Sequence, residues 1–191
     1  MRVVGGTLRG RRLAAPPGAT TRPTSDRVRE AVFSVLDARF GGVVDAVVLD
    51  LFAGSGALGI EALSRGARWS TFVENDASAL RTIRENLRVL RLEDRAAVVR
   101  GDATRIPGSR IPGGPFSLLV ADPPYRIEPH QVFRIFEGLG ASGLLLDGAV
   151  VVYECSASQP LEWPDTFADA TEKRYGSTRV AFARWKRSCG S

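Results

Sequence analysis

The run Ser117-Leu118-Leu119-Val120-Ala121 ends in Asp122-Pro123-Pro124-Tyr125. Two consecutive prolines remove two backbone donors and stiffen the exit from a strand. The Asp122 carboxylate and the Pro123 carbonyl remain as fixed acceptors, Pro124 holds the turn, and the Tyr125 ring follows directly. Two acceptors and an aromatic face are what an exocyclic base amine needs when its base is taken out of the stack. Reaction at such an amine depends on positioning and on acceptors aimed at developing charge, and needs no strong general base. These four residues are the candidate catalytic set.

A second constellation lies upstream. Leu49-Asp50-Leu51-Phe52-Ala53-Gly54-Ser55-Gly56-Ala57-Leu58-Gly59 carries GxGxxG between a strand pattern and a helix pattern, the context of a nucleotide-binding turn. Glu74 follows at the end of the next strand pattern, where a carboxylate can hold ribose hydroxyls. The glycines alone fit either NAD or S-adenosylmethionine (SAM). Asp50 separates the two, because an ionised carboxylate beside the loop repels a pyrophosphate and attracts an ammonium or a sulfonium. Asp102, in Gly101-Asp102-Ala103, adds a carboxylate suited to an adenine amine. The candidate cofactor set is Asp50, Phe52, Gly54, Gly56, Glu74, Asp76 and Asp102. Two cysteines and one histidine, with no CxxC spacing, predict no metal.

Both constellations need a sheet to hold them, and the hydrophobic pattern provides one. Strands are predicted at 43–51, Trp69–Glu74, Ala96–Arg100, Phe116–Ala121 and 149–155, and a hairpin at 171–186 turning at Tyr175-Gly176-Ser177. Helices are predicted at 57–65, 77–92 and around 130–138. This alternation gives an α/β fold with a mostly parallel seven-stranded sheet and a terminal antiparallel hairpin. Ahead of it, 1–40 reads as a basic extension. Two short strands, 2–4 and 11–13, form a hairpin, and a helix capped by Thr24 or Ser25 runs to about Phe40. The catalytic domain is then 41–191.

Charge marks the extension off. Residues 1–40 hold eight arginines against three acids, whereas the other 151 residues hold eighteen basic and eighteen acidic groups. Clustered arginine among glycine and threonine suits a polyanion. Arg9, Arg11, Arg12, Arg22, Arg27 and Arg29 are the candidate RNA contacts. A helical stripe of Arg81, Arg84, Arg88 and Arg91 reads as a solvated face, with Glu85 able to pair with Arg81. His130 is expected to cap or pack, the three tryptophans to fill core or edge, and Cys155 to be a buried thiol. The start lacks the apolar run of a signal peptide and no stretch is long enough to span a membrane, so a monomeric cytoplasmic protein is expected.

Taken together, Asp50-x-Phe52-x-Gly54-x-Gly56 and Asp122-Pro123-Pro124-Tyr125 resemble amino-directed, SAM-dependent nucleic-acid methyltransferases. Arg2-Val3-Val4-Gly5-Gly6, Arg9-Gly10-Arg11-Arg12-Leu13 and Arg22-Pro23-Thr24-Ser25-Asp26-Arg27-Val28-Arg29-Glu30 narrow the resemblance to the RsmD type of small-subunit rRNA guanine-N2 methyltransferase. The resemblance covers nearly the whole chain, most weakly at the terminal hairpin. It implies a Rossmann-like methyltransferase fold, SAM as methyl donor, and S-adenosylhomocysteine as product. It also implies N2 methylation of guanine 966 of 16S rRNA in the small ribosomal subunit or an assembly intermediate, with the front hairpin docking RNA. Tyr125 stands where relatives often have Phe, and either ring stacks. Three alternatives remain open: an adenine-N6 DNA methyltransferase, an NAD-dependent oxidoreductase, and a non-catalytic RNA-binding module.

Overall fold

A computed structural model describes residues 1–17, 25–105, 111–124 and 126–187. Seven strands form one sheet: β1 (Val47–Leu51), β2 (Trp69–Glu74), β3 (Ala96–Arg100), β4 (Phe116–Ala121), β5 (Leu145–Ser156), β6 (Phe167–Tyr175) and β7 (Thr178–Trp185). Their order is β3-β2-β1-β4-β5-β7-β6. The first five are parallel, and β7 runs antiparallel to both β5 and β6. Among the described residues four α-helices accompany them: α1 (Asp26–Phe40), α2 (Ala57–Ser64), α3 (Ala77–Leu90) and α4 (Pro129–Ala141). This is the Rossmann-like methyltransferase arrangement.

β1 is buried at every position because both faces of the sheet are covered. Its alternate residues Val47, Leu49 and Leu51 join a core with α4, β5 and the aromatic group Phe133, Tyr153, Phe167 and Trp185. Val48 faces the other way, into a core with α1 and α2. A third cluster joins Phe72 of β2 to α2, α3 and the N-terminal residues Val3 and Leu13.

The expected N-terminal hairpin is present but smaller than two strands. Arg2 and Arg12 make a single antiparallel bridge, supported by Val3 N to Arg11 O (3.0 Å) and Leu13 N to Met1 O (3.1 Å). A stable hairpin needs more strands or a surface to lie on, and this one lies on α2 and α3. Val4 N donates to Glu61 Oε2 (2.8 Å), Leu8 N to Ser64 Oγ (3.0 Å), and Ala14 N to Asn86 Oδ1 (2.8 Å). Ser25 caps α1 by accepting from Val28 N, as expected of it, while Thr24 lies outside the described residues.

β1 starts at Val47, four residues later than its apolar pattern suggests, because Asp45 takes a left-handed turn (φ 59°). β5 extends well beyond 149–155 at its amino end, pairing Leu145 with Phe116 across a bulge. The terminal hairpin turns at Gly176-Ser177 between β6 and β7. His130 is exposed in the first turn of α4, whose capping box is instead Glu128 with Gln131. Cys155 is buried, and burial pushes its thiol up to about 11, so it is no nucleophile at neutral pH. Among the described residues no helix is long and apolar enough to cross a membrane, and no cluster of His, Cys, Asp and Glu is arranged to hold a metal.

Candidate active site

The strand order changes direction between β1 and β4, and in open α/β sheets ligands bind outside the carboxyl ends of the strands at such a point. Four acids stand on that edge in spatial sequence: Asp102 after β3, Glu74 closing β2, Asp50 near the end of β1, and Asp122 directly after β4. The pairing of Leu51 with Ala121 brings the last two together across the switch point.

Asp50 is only 2% exposed, and its Oδ2 accepts from Gly59 N at 2.9 Å, fixing the start of α2. Burial drives its pKa well above the usual carboxylate range; the Gly59 hydrogen bond opposes this, and the charges of Asp122 and Glu74 add to it. A fold that raises an acid's pKa binds more protons than the unfolded chain between the two pKa values, so this contribution to stability falls as pH rises through that window. A bound cation reverses the effect by favouring the carboxylate. Asp50→Asn keeps an acceptor for Gly59 and is therefore expected to be at least as stable as the wild type at neutral pH without ligand, while binding SAM about tenfold less tightly. Thermal melts from acid to mildly alkaline pH, with SAM titrations, check this. Equal pH dependence in the two proteins would remove Asp50 from the account.

Glu74 stitches the loop together: Oε2 accepts from Gly54 N (2.8 Å), and Oε1 from Asn75 N (2.8 Å) and Asp76 N (2.9 Å). A carboxylate has about four acceptor sites, so one is left for a hydroxyl. Asp76 caps α3 through Ala79 N (2.8 Å). Asp102 accepts from the backbone and hydroxyl of Thr104, bonds that lower its pKa, and stays well exposed.

Gly54 and Gly56 take left-handed φ of 55° and 77°. A Cβ at Gly54 would meet nothing nearer than the Phe52 carbonyl at 4.0 Å, so the loop leaves open space above it where a ligand fits. Gly59 serves packing instead, since a Cβ there would lie 2.4 Å from the Phe72 ring. Phe52 is left-handed as well (φ 59°), a conformation that strains a bulky residue, and it is held there by packing against the α4-side core. Such strain next to a glycine turn is typical of ligand-holding segments.

At the second motif Pro123 is buried and Pro124 exposed. The Pro124 carbonyl accepts from Ile127 N (2.9 Å), closing a turn, whereas none of the described residues donates to the Pro123 carbonyl. Tyr125 lies outside the described residues, as does Arg22.

The candidate RNA contacts divide. Arg9, Arg11, Arg12 and Arg27 are exposed, as RNA binding requires. Arg29 corrects the expectation: it is 0% exposed and cannot reach a polyanion. Its guanidinium donates to the Arg2 carbonyl and pairs with Asp26 (2.9 Å) and with the equally buried Glu61 (3.6 Å). The expected Glu85–Arg81 pair is also replaced, since Glu85 binds Arg88 through both oxygens at 2.7 and 2.9 Å. Glu61, Ser64 and Asn86, which dock the hairpin beside the glycine turn, were not among the candidates. Their one sequence signal is a polar side chain on an otherwise apolar helix face.

The family model described as Conserved hypothetical protein 95 matches residues 1–184. "Putative rRNA methyltransferase YlbH" of Bacillus subtilis is 38% identical over 187 residues, covering 95% of this chain and 97% of that one. "Ribosomal RNA small subunit methyltransferase D" of Escherichia coli is 42% identical over 126 residues, 66% of this chain and 61% of the relative. The solved structure "Putative methyltransferase yhhF from Escherichia coli" superposes with a TM-score of 0.82 at 34% identity, over 98% of this chain and 99% of the other. An RNA methyltransferase from Salinibacter ruber, solved with S-adenosyl-L-homocysteine, shares the fold at a TM-score of 0.63 and 18% identity. With the glycine turn, the acid-lined sheet edge and the Asp-Pro-Pro exit from β4 all in place, the chain belongs to the RsmD family matched by the Conserved hypothetical protein 95 model.

Proposed function

We propose that the protein transfers a methyl group from SAM to the exocyclic N2 amine of a guanine in 16S rRNA. By family resemblance the target is guanine 966, in a small ribosomal subunit or an assembly intermediate. The observation that carries this reading is the juxtaposition of Asp50 and Asp122 across the switch point, with β4 leaving through two prolines. SAM supplies an activated methyl on a positively charged sulfur. An acid-lined edge with an open glycine turn suits that cation and disfavours a dinucleotide's phosphates, which argues against an oxidoreductase.

The chain's own residues perform the rest. Asp50 and Glu74 set the glycine turn, and a bound cation favours the charged form of Asp50. Asp102 and Asp76 line the same edge beside the adenosine end. The Asp122 carboxylate and Pro123 carbonyl hold the two amine hydrogens, so the nitrogen lone pair faces the methyl carbon, and Tyr125 stacks the base. Carboxylate and carbonyl also stabilise the positive charge that grows on nitrogen as the bond forms, and the product amine then gives up its proton readily. The exposed arginines of the hairpin and of α1 contact the rRNA backbone.

The test is transfer of labelled methyl to unmethylated small subunits, free 16S rRNA and duplex DNA, with nucleoside analysis of the product. N2-methylguanosine from the ribosomal substrates is expected. N6-methyladenine formed preferentially in DNA would keep the site chemistry and overturn the substrate.

A further inference from the structure

The arginines of α3 stand where a helix face meets the edge of the sheet. β3 is the edge strand, and a groove of about 540 Å³ runs between it and α3, lined by Arg81, Arg84 and Arg88, by the acids Glu85 and Glu93 that lie toward Arg88, and by Val98 among others. Arg81, Arg84 and Arg88 are all exposed. Glu85 commits both of its oxygens to Arg88, and no ion pair among the described residues engages Arg81 or Arg84. An exposed arginine without an acid partner is a ready phosphate ligand, with a planar fork of donors.

Direction matters as much as charge. Asp76 caps α3 immediately beyond Glu74, so the helix begins at the acid-lined edge and runs away from it. At about 1.5 Å of rise per residue, the two arginines without an acid partner, Arg81 and Arg84, lie about 4.5 Å apart along the axis on one face. The far end meets the N-terminal hairpin: Arg11 donates to the Val89 carbonyl (3.4 Å), and Asn86 holds the backbone of Ala14 on one side and of Ser55 in the glycine turn on the other. Arg11 thus reaches the α3 backbone one residue beyond Arg88, while the Asn86 contacts hold the hairpin from the opposite side of the helix.

We propose that this stripe is a second rRNA-docking track, met at its far end by Arg11 of the basic hairpin, along which the substrate backbone crosses α3 toward the methyl-transfer edge. The inference rests on the rRNA reading above and assigns a surface that reading leaves out. Charge complementarity selects the occupant, since the track offers guanidinium groups to a polyanion.

The experiment compares full-length wild type with the Arg81→Ala/Arg84→Ala and Arg11→Ala/Arg12→Ala variants. Binding to unmethylated small subunits is followed between about 50 and 200 mM salt, together with SAM binding and steady-state methylation. Both positions on α3 are exposed, so thermal melts should match wild type. The helix variant is expected to bind subunits about tenfold more weakly and to lose about two units of salt slope. SAM affinity and kcat at saturating subunits should hold, with the loss confined to KM. Arg81→Lys/Arg84→Lys should recover most of the binding. Unchanged affinity and slope in a folded helix variant, with the hairpin variant impaired, would overturn the track and leave the rRNA reading standing. Unchanged RNA binding with increased aggregation would also overturn it, assigning the arginines to shielding the open edge of β3. Wild type that binds subunits no better than duplex DNA would sink the rRNA reading, and the track with it.

Discussion

Asp122→Ala should lower methyl transfer by about a thousandfold or more while leaving SAM affinity within a few-fold. The carboxylate sits directly after β4, beside Asp50 across the switch point, and it is followed by two prolines that fix its direction. In the proposed arrangement it does two things at the amine: it holds one N–H, and it places a negative charge next to nitrogen as that atom becomes cationic. The second effect grows toward the transition state, so its loss falls on kcat more than on ground-state binding. Asp122→Asn keeps one acceptor and loses the charge, and should fall between the two. Removing Asp122 also removes one of the charges that raise the pKa of buried Asp50. Single-turnover transfer at saturating RNA, beside a SAM titration, separates the roles. A loss of SAM binding as large as the loss of transfer would make Asp122 a cofactor ligand and not the holder of the amine.

The second large effect is structural. Arg29 and Glu61 are both fully buried, and around them converge Asp26, Arg65, the Arg2 carbonyl and Val4 N. Removing Arg29 leaves Glu61 still paired with Arg65 (2.8 Å) and Val4 N, so the cost is that of lost buried hydrogen bonds and not of a bare buried charge. Arg29→Ala is therefore expected to destabilise the protein by about 1–3 kcal/mol and to loosen the hairpin, which Arg29 holds through the Arg2 carbonyl. Replacing both partners by apolar residues should cost far less than the two single changes added together. Denaturant unfolding of the single and double variants gives the coupling, and limited proteolysis reports the hairpin. If Arg29→Ala unfolds at the wild-type midpoint yet binds rRNA poorly, the direct contact first expected of Arg29 is right and its structural role is wrong.

Arg29 illustrates where the residue pattern held the answer and charge obscured it. Val28, Val32, Phe33 and Leu36 define the buried face of α1, and Arg29 lies four residues before Phe33 on that face. Counted only as a cation in a basic segment, it looked like an RNA ligand; counted by helical period, it belonged inside. The Glu85 pairing failed for a different reason, because i+3 and i+4 partners compete on one helix and local geometry chose Arg88. β2, β3 and β4 fell on their expected bounds, being short apolar runs closed by turn residues. β1 and β5 did not, because their ends depend on what the neighbouring strand and turn allow.

Local chemistry alone determined the glycine turn, the acids at or near the carboxyl ends of β1 to β4 and the Asp-Pro-Pro exit. Each is a short segment whose geometry follows from its own residues: left-handed φ at Gly54 and Gly56, absent donors at Pro123 and Pro124, and apolar alternation before them. Only the tertiary structure decided how these segments meet. Strand order set Asp50 beside Asp122, and the fold buried Asp50 and gave it a second task, holding α2 through Gly59. Docking through Glu61, Ser64 and Asn86 seated the hairpin, and Arg11 reached the α3 backbone at Val89. These are contacts between residues as many as 78 positions apart. Nothing in the local pattern encodes them, because they exist only once the hydrophobic faces have closed over the sheet.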